Sequence, residues 1–116
     1  MQAMPIMVMT AVAPTAVGEY RFAGFDGAQA DAAGMKVLGV AQYAAAPGAA
    51  FAVTVLGTER VKSGAAIAIG PKGLTPVKTD ATGRAIAHGG VGEIAGYLIG
   101  APALAVDQTV EILLSR

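Results

Sequence analysis

The sequence predicts an all-β chain, a small barrel or sandwich of short strands carrying an extended N-terminal arm. Two observations predict it. A strand–loop–strand unit occurs twice, 57 positions apart: Val37–Ala41 leading to Phe51–Leu56, and Ile94–Leu98 leading to Thr109–Leu113, with Gly39 falling on Gly96, Ala41 on Leu98, Val53 on Val110 and Val55 on Ile112. Glycine, present sixteen times, also rarely leaves room for a long helix, although the many alanines favour one. Many short strands with closely spaced turn signals describe a barrel or sandwich.

The elements follow in order. Residues 1–18 read as an extended arm, in which Ile6, Val8, Thr10 and Val12 alternate with Met7, Met9 and Ala11 between Pro5 and Pro14. An ordinary first strand, or a disordered start, is the alternative reading of the same segment. Residues 19–116 form one β-rich domain. Within it Glu19–Ala23 is a strand with Tyr20 and Phe22 on one face, and Gly24–Gly27 is a turn closed by Asp26-Gly27. A loop with room for one helical turn covers 28–34, then Val37–Ala41 is a strand and 42–50 a connector marked by Pro47-Gly48.

Phe51–Leu56 is a strand, Gly57-Thr58 a turn, and Glu59–Lys62 a short polar strand. Ala65–Ile69 reads as a strand with Ile67 and Ile69 on one face, Gly70–Gly73 as a loop, Leu74–Val77 as extended, Thr79–Gly83 as a turn and Arg84–Ala87 as a strand. His88–Gly92 is a link. Glu93–Ile99 and Thr109–Leu114 are strands, separated by a segment, Ala101–Asp107, with the composition of a single helical turn.

Composition bounds the function. At 116 residues the chain is one domain by size. Apolar residues make up 54% but aromatics only 5%, so the core is built from small aliphatic side chains that let strands approach closely. Charged residues are 14%, against about 25% in soluble domains, and eight bases balance eight acids. A neutral chain has no field for a phosphate backbone, which argues against nucleic acid as a partner. So weakly charged a surface suits a protein that works packed against other proteins. There are no cysteines. No apolar run reaches the ~18 residues of a membrane span without Pro, Gly or charge, so no membrane partner is expected. The apolar start lacks a positive leader and is broken by Pro5, unlike a signal peptide.

No residue pattern carries chemistry. His88, the only histidine, lies beside Gly89-Gly90 with no second ligand type near it in sequence, and reads as a loop residue. The acidic residues Glu19, Asp26, Asp31, Glu59, Asp80, Glu93, Asp107 and Glu111 form no local pair for acid–base work. Ser63 and Ser115 sit in no nucleophile elbow, and Lys72 in Gly70-Pro-Lys-Gly73 lacks the phosphate-loop pattern. Met35-Lys36 invites comparison with biotinyl and lipoyl carriers, but Val37 replaces the second Met and no acid precedes the Lys. A small carbohydrate-binding β module is the other alternative, weakened by the lack of Trp. No catalytic residue, metal or cofactor is expected.

Taken together, Phe22-Ala-Gly-Phe-Asp-Gly27, Lys36–Ala41, Ala46-Pro-Gly48, Val55-Leu-Gly57, Val61–Ile67, Thr79–Ala85 and Ala95-Gly-Tyr97 resemble, in order and spacing, the capsid cement or head decoration proteins of tailed bacteriophages (DUF2190). The resemblance runs from about Tyr20 to the C-terminus. It implies a non-enzymatic virion protein with an all-β fold, bound to the outer surface of the head in contact with the major capsid protein. It also implies self-association, as a homotrimer or less commonly a dimer. The candidate capsid contacts are Pro5, Ile6, Met7, Val8, Met9, Thr10, Ala11 and Val12 of the arm, where Met serves as an adaptable apolar filler. Removing residues 1–14 is expected to leave a folded domain.

Overall fold

A computed structural model describes residues 4–114. Eight antiparallel strands form a single sheet that curls toward closure: β1 (Pro5–Val12), β2 (Phe22–Ala23), β3 (Gly39–Ala41), β4 (Ala50–Lys62), β5 (Pro76–Thr79), β6 (Ala85–Ala87), β7 (Gly96–Ile99) and β8 (Thr109–Leu114). The order is β2-β3-β4-β8-β7-β5-β6, with β1 pairing β4 off that path. Its two ends nearly meet. The Phe22 N–H donates to the Gly83 carbonyl at 2.7 Å, and the Gly64 N–H to Ala85 at 2.8 Å. A three-residue 3-10 turn, Pro71–Gly73, is the only helical piece among the described residues, none of which forms a helix long and apolar enough to cross a membrane.

Strand β4 organises the fold. Its odd positions Phe51, Val53, Val55 and Val61 are buried, as period-two alternation requires. Phe51, Val53 and Val55 belong to one apolar cluster with Ala13, Val17, Ala23, Ala41 and Ala45. Val61 belongs to the larger cluster inside the barrel, with Phe22, Val40, Ile67, Val77, Leu98 and Ile112. One strand therefore serves two cores. Gly57 lies between its halves at φ 98°, beside an irregular stretch of the β1–β4 register. The expected turn at Gly57-Thr58 is thus a kink inside a continuous strand, and Glu59–Lys62 is its second half.

Three further expectations are corrected. Ala65–Ile69 forms no strand; only Ile67 bridges, to Ala103, through two backbone hydrogen bonds of 2.9 and 3.1 Å. Ala101–Asp107 is not helical, because the Ala103 bridge holds it extended and Asp107 sits at φ 61°. The strand at Glu19–Ala23 shrinks to Phe22–Ala23. Tyr20 takes φ 56°, which interrupts the alternation meant to place it beside Phe22.

The sequence repeat is real in space and differs in register. Ala41 pairs with Val53, whereas Leu98 pairs with Ile112, two residues beyond the position equivalent to Val53. A slip of two keeps every side chain on its original face. Both repeat glycines stand against the partner strand's main chain. A Cβ on Gly39 would run into the Thr54 carbonyl oxygen, and one on Gly96 would lie 2.6 Å from that of Leu113.

Candidate functional site

The candidate contact residues form one element, β1. Pro5 opens it, a strand position that Pro tolerates, and β-branched or unbranched apolar residues continue it. Val53 and Thr54 pair with β3 on one side and with Met9 and Val8 on the other, so β1 lies along the opposite flank of β4. Among the described residues no strand pairs with its outer edge.

Two glycines bracket the strand. At its start, a Cβ on Gly57 would lie 2.5 Å from the Met4 carbonyl oxygen and 2.6 Å from the Ile6 nitrogen. At its end, a Cβ on Gly27 would lie 2.5 Å from the Val12 carbonyl oxygen. The next residue, Ala13, is fully buried; its N–H donates to Ala49 at 2.9 Å and its carbonyl accepts from Gly48 at 2.6 Å. Removing residues 1–14 would therefore strip a core residue along with the surface strand, and a truncation confined to the surface stops before Ala13.

What β1 shows to its surroundings is apolar. Ile6 is 76% exposed, Met7 50%, Val8 46%, Met9 47% and Val12 61%. These open hydrophobic side chains follow one another along a single strand. Met7 and Met9 also form one wall of an open groove of about 710 Å³ whose other apolar walls are Phe25, Leu38, Ile94 and Tyr97. Sequence reading found β1 but not the groove, whose walls come from segments far apart along the chain.

One polar residue at the groove, His88, is engaged within its own loop. The His88 Nδ1 accepts the Gly90 N–H at 3.2 Å, which leaves Nε2 as the donor to the Gly92 carbonyl at 2.7 Å. The imidazole thereby ties together its own glycine-rich loop. Lys36 lines the groove from the segment leading into β3, away from any hairpin tip, unlike the lysine of a carrier domain. Among the described residues no three His, Asp or Glu side chains gather to hold a metal ion.

Polar groups elsewhere hold the barrel together. The Thr54 hydroxyl is fully buried; it accepts from Gln42 Nε2 and donates to Glu59 Oε2, each at 2.8 Å. Asp80 Oδ1 accepts from the Thr82 N–H, the Thr82 hydroxyl and the Arg84 N–H at 2.8–2.9 Å, and Oδ2 faces Arg84 Nε at 3.3 Å. Arg84 reaches on to Asp107 at 3.0 Å. Partial burial pushes the Asp80 carboxyl up, but hydrogen bonds from Arg84 and Thr82 and the Arg84 charge outweigh it and hold the carboxyl below its ordinary range. The Thr82 carbonyl of the same turn accepts from Arg21 and Gln29, each at 2.9 Å, which fastens the turn to the segments on either side of β2.

No protein-family model matches the chain, and no curated protein does. Among solved structures, the crystal structure of the head fiber gp8.5 N base in bacteriophage phi29 matches with a TM-score of 0.71 and 24% identity, covering 94% of this chain and 93% of that one. The likeness is one of fold, and over nearly its whole length this chain shares the architecture of a phage head fiber base.

Proposed function

We propose that this chain is a structural virion protein of a tailed bacteriophage, a decoration or cement protein that binds the outer surface of the head and ties neighbouring major capsid subunits together. The observation that carries the reading is the fold, shared over nearly the whole length of the chain with the base of a phage head fiber. The order of motifs that resembles the head decoration proteins supports it independently of the fold. So does the surface of β1, where apolar side chains stand open instead of joining either core.

Such a protein acts by burial alone. Covering a large aliphatic side chain contributes up to about 1.5–3 kcal/mol, less where it is already half covered. Several copies acting on one lattice multiply a weak contact through effective concentration. Three copies around a threefold position is the arrangement the sequence resemblance implies. The most deeply buried polar side chains, Thr54, Glu59, Ser63, Thr75 and Thr79, are all engaged in internal hydrogen bonds, so this reading asks no chemistry of them.

The test is cosedimentation of purified protein with expanded heads of the encoding virus that lack it. Wild-type protein should bind in fixed proportion to the major capsid protein, and Val8→Glu should bind less at an unchanged melting temperature. Failure of the wild type to bind heads sinks the proposal. Equal binding of the variant moves the capsid contact off β1.

A further inference from the structure

The hydrogen bonds of His88 fix the protonation state that its loop requires. A backbone N–H can only donate, and a carbonyl can only accept. The Gly90 N–H meets Nδ1 at 3.2 Å, and the Gly92 carbonyl meets Nε2 at 2.7 Å. Nδ1 must therefore be bare, and Nε2 must carry the hydrogen. Only the neutral ring, in that tautomer, makes both bonds.

We propose that His88 is a proton-operated clip on the loop 88–92. The neutral ring holds both Gly90 and Gly92. A proton taken from water by Nδ1 turns that nitrogen from acceptor to donor and sets it against the Gly90 N–H, so this bond is lost. The Nε2 bond to Gly92 is kept and becomes charge-assisted, which is the stronger kind. Acid thus frees the tip of the loop and tightens its base.

The surroundings of the ring support this division. The base of the loop has other ties: the His88 N–H donates to Pro76 at 3.1 Å, Lys78 Nζ to the Val91 carbonyl at 3.0 Å, and the Glu93 N–H to Gly34 at 2.9 Å. The tip has little else. Gly89 and Gly90 are exposed, and a Cβ on either would meet nothing within 4 Å. The turn bond from the Val91 N–H to the His88 carbonyl is long, at 3.5 Å. The charged groups around the ring are Lys36 and Glu93, which line the same groove, and Lys78 on β5. Strand β1 brings no charge to the groove, and Asp26, next to Phe25, accepts from the Ala28 N–H at 3.0 Å. Because His88 and Gly92 both line the groove, protonation places a second cation there beside Lys36. The clip stands on the loop alone and does not depend on a virion role.

The test is NMR of the full-length, isotope-labelled protein, titrated from about pH 8 to about pH 5, the range in which histidine changes charge. At the neutral end the ring nitrogens should report the hydrogen on Nε2, with a coupling across the hydrogen bond between the Gly90 amide nitrogen and Nδ1. On acidification that coupling should vanish with the midpoint of the ring's own titration, and Gly89 and Gly90 should become more mobile than Gly92. In His88→Ala the tip should be mobile at both ends of the titration. A neutral ring protonated on Nδ1, a coupling absent at the neutral end, or one that survives in the protonated ring would overturn the proposal. So would a tip equally ordered at both ends, or as ordered in His88→Ala as in the neutral wild type.

Discussion

Gly57 and Ile6 approach so closely that no side chain fits between them: a Cβ on Gly57 would stand 2.6 Å from the Ile6 nitrogen. Gly57 also sits at φ 98°, where residues with a Cβ are strained. One position therefore kinks β4 between its two cores and seats the start of β1. Replacing Gly57 by Ala should cost on the order of 1–3 kcal/mol from backbone strain, with the clash in addition. Hydrogen exchange should report the change first in the β1 amides. Protection of β1 equal to wild type would show that β1 is held by other contacts.

The repeat glycines make a second prediction. Gly39 and Gly96 have ordinary backbone angles, so the cost of a side chain there is purely steric and falls on the carbonyl of Thr54 or Leu113. Valine at either position should lower the melting temperature by several degrees or more, since 1 kcal/mol moves a domain of this size by roughly 4 °C. Gly48→Ala is the matched control, because a Cβ there meets nothing within 4 Å and only its φ of 82° opposes it. Valine variants that melt like the wild type would remove close strand approach as the reason for these glycines.

How much of this was legible in the sequence follows from what each feature depends on. Local backbone chemistry was readable: Asp26-Gly27 and Pro47-Gly48 do turn the chain, with both glycines at positive φ. The spacing of Gly39 and Gly96 was readable because strand pairing repeats it. The continuity of β4 through Gly57 was not, because a glycine at positive φ looks the same in sequence whether it ends a strand or bends one. The Ile67 segment looked like a strand because its alternation is sound, but its neighbour, Ala103, lies far along the chain and offers only a single bridge. The groove was invisible for the same reason. Its walls meet only when β1, the turn at Phe25 and the segment before β7 are brought together.

The buried chain Gln42–Thr54–Glu59 gives a third prediction. The Thr54 hydroxyl is the middle of two hydrogen bonds and is wholly shielded from water. Thr54→Val preserves the side-chain shape but strands the Glu59 oxygen and the Gln42 amide. An unsatisfied buried polar group costs about 1–3 kcal/mol, more where a charge is involved. Denaturant unfolding should show a loss of that size. A loss below about 0.5 kcal/mol would mean that water replaces the hydroxyl and that the chain of hydrogen bonds contributes little.

Asp80 sets the acid limit of the fold. Burial opposes its ionised form, yet the hydrogen bonds from Arg84 and Thr82, with the Arg84 charge, hold the folded-state carboxyl below its ordinary range. The unfolded chain, with a carboxyl near its ordinary value of 3.8, then binds the proton more readily than the folded one. The stability that Asp80 contributes is accordingly complete above that value and is lost as pH falls through the lower, folded-state value. Because the same turn fastens Gly83 to Phe22, the loss should be felt where the barrel closes. Melting curves of the wild type should drop steeply below about pH 4, whereas Asp80→Asn, less stable at neutral pH, should show a shallower fall in the same window. Gly64→Ala offers a second route to the same contact, since its Cβ would meet the Asp80 carboxylate and displace it. Parallel acid profiles for wild type, Asp80→Asn and Gly64→Ala would place the acid sensitivity in other carboxylates and leave the Asp80 turn a passive hairpin.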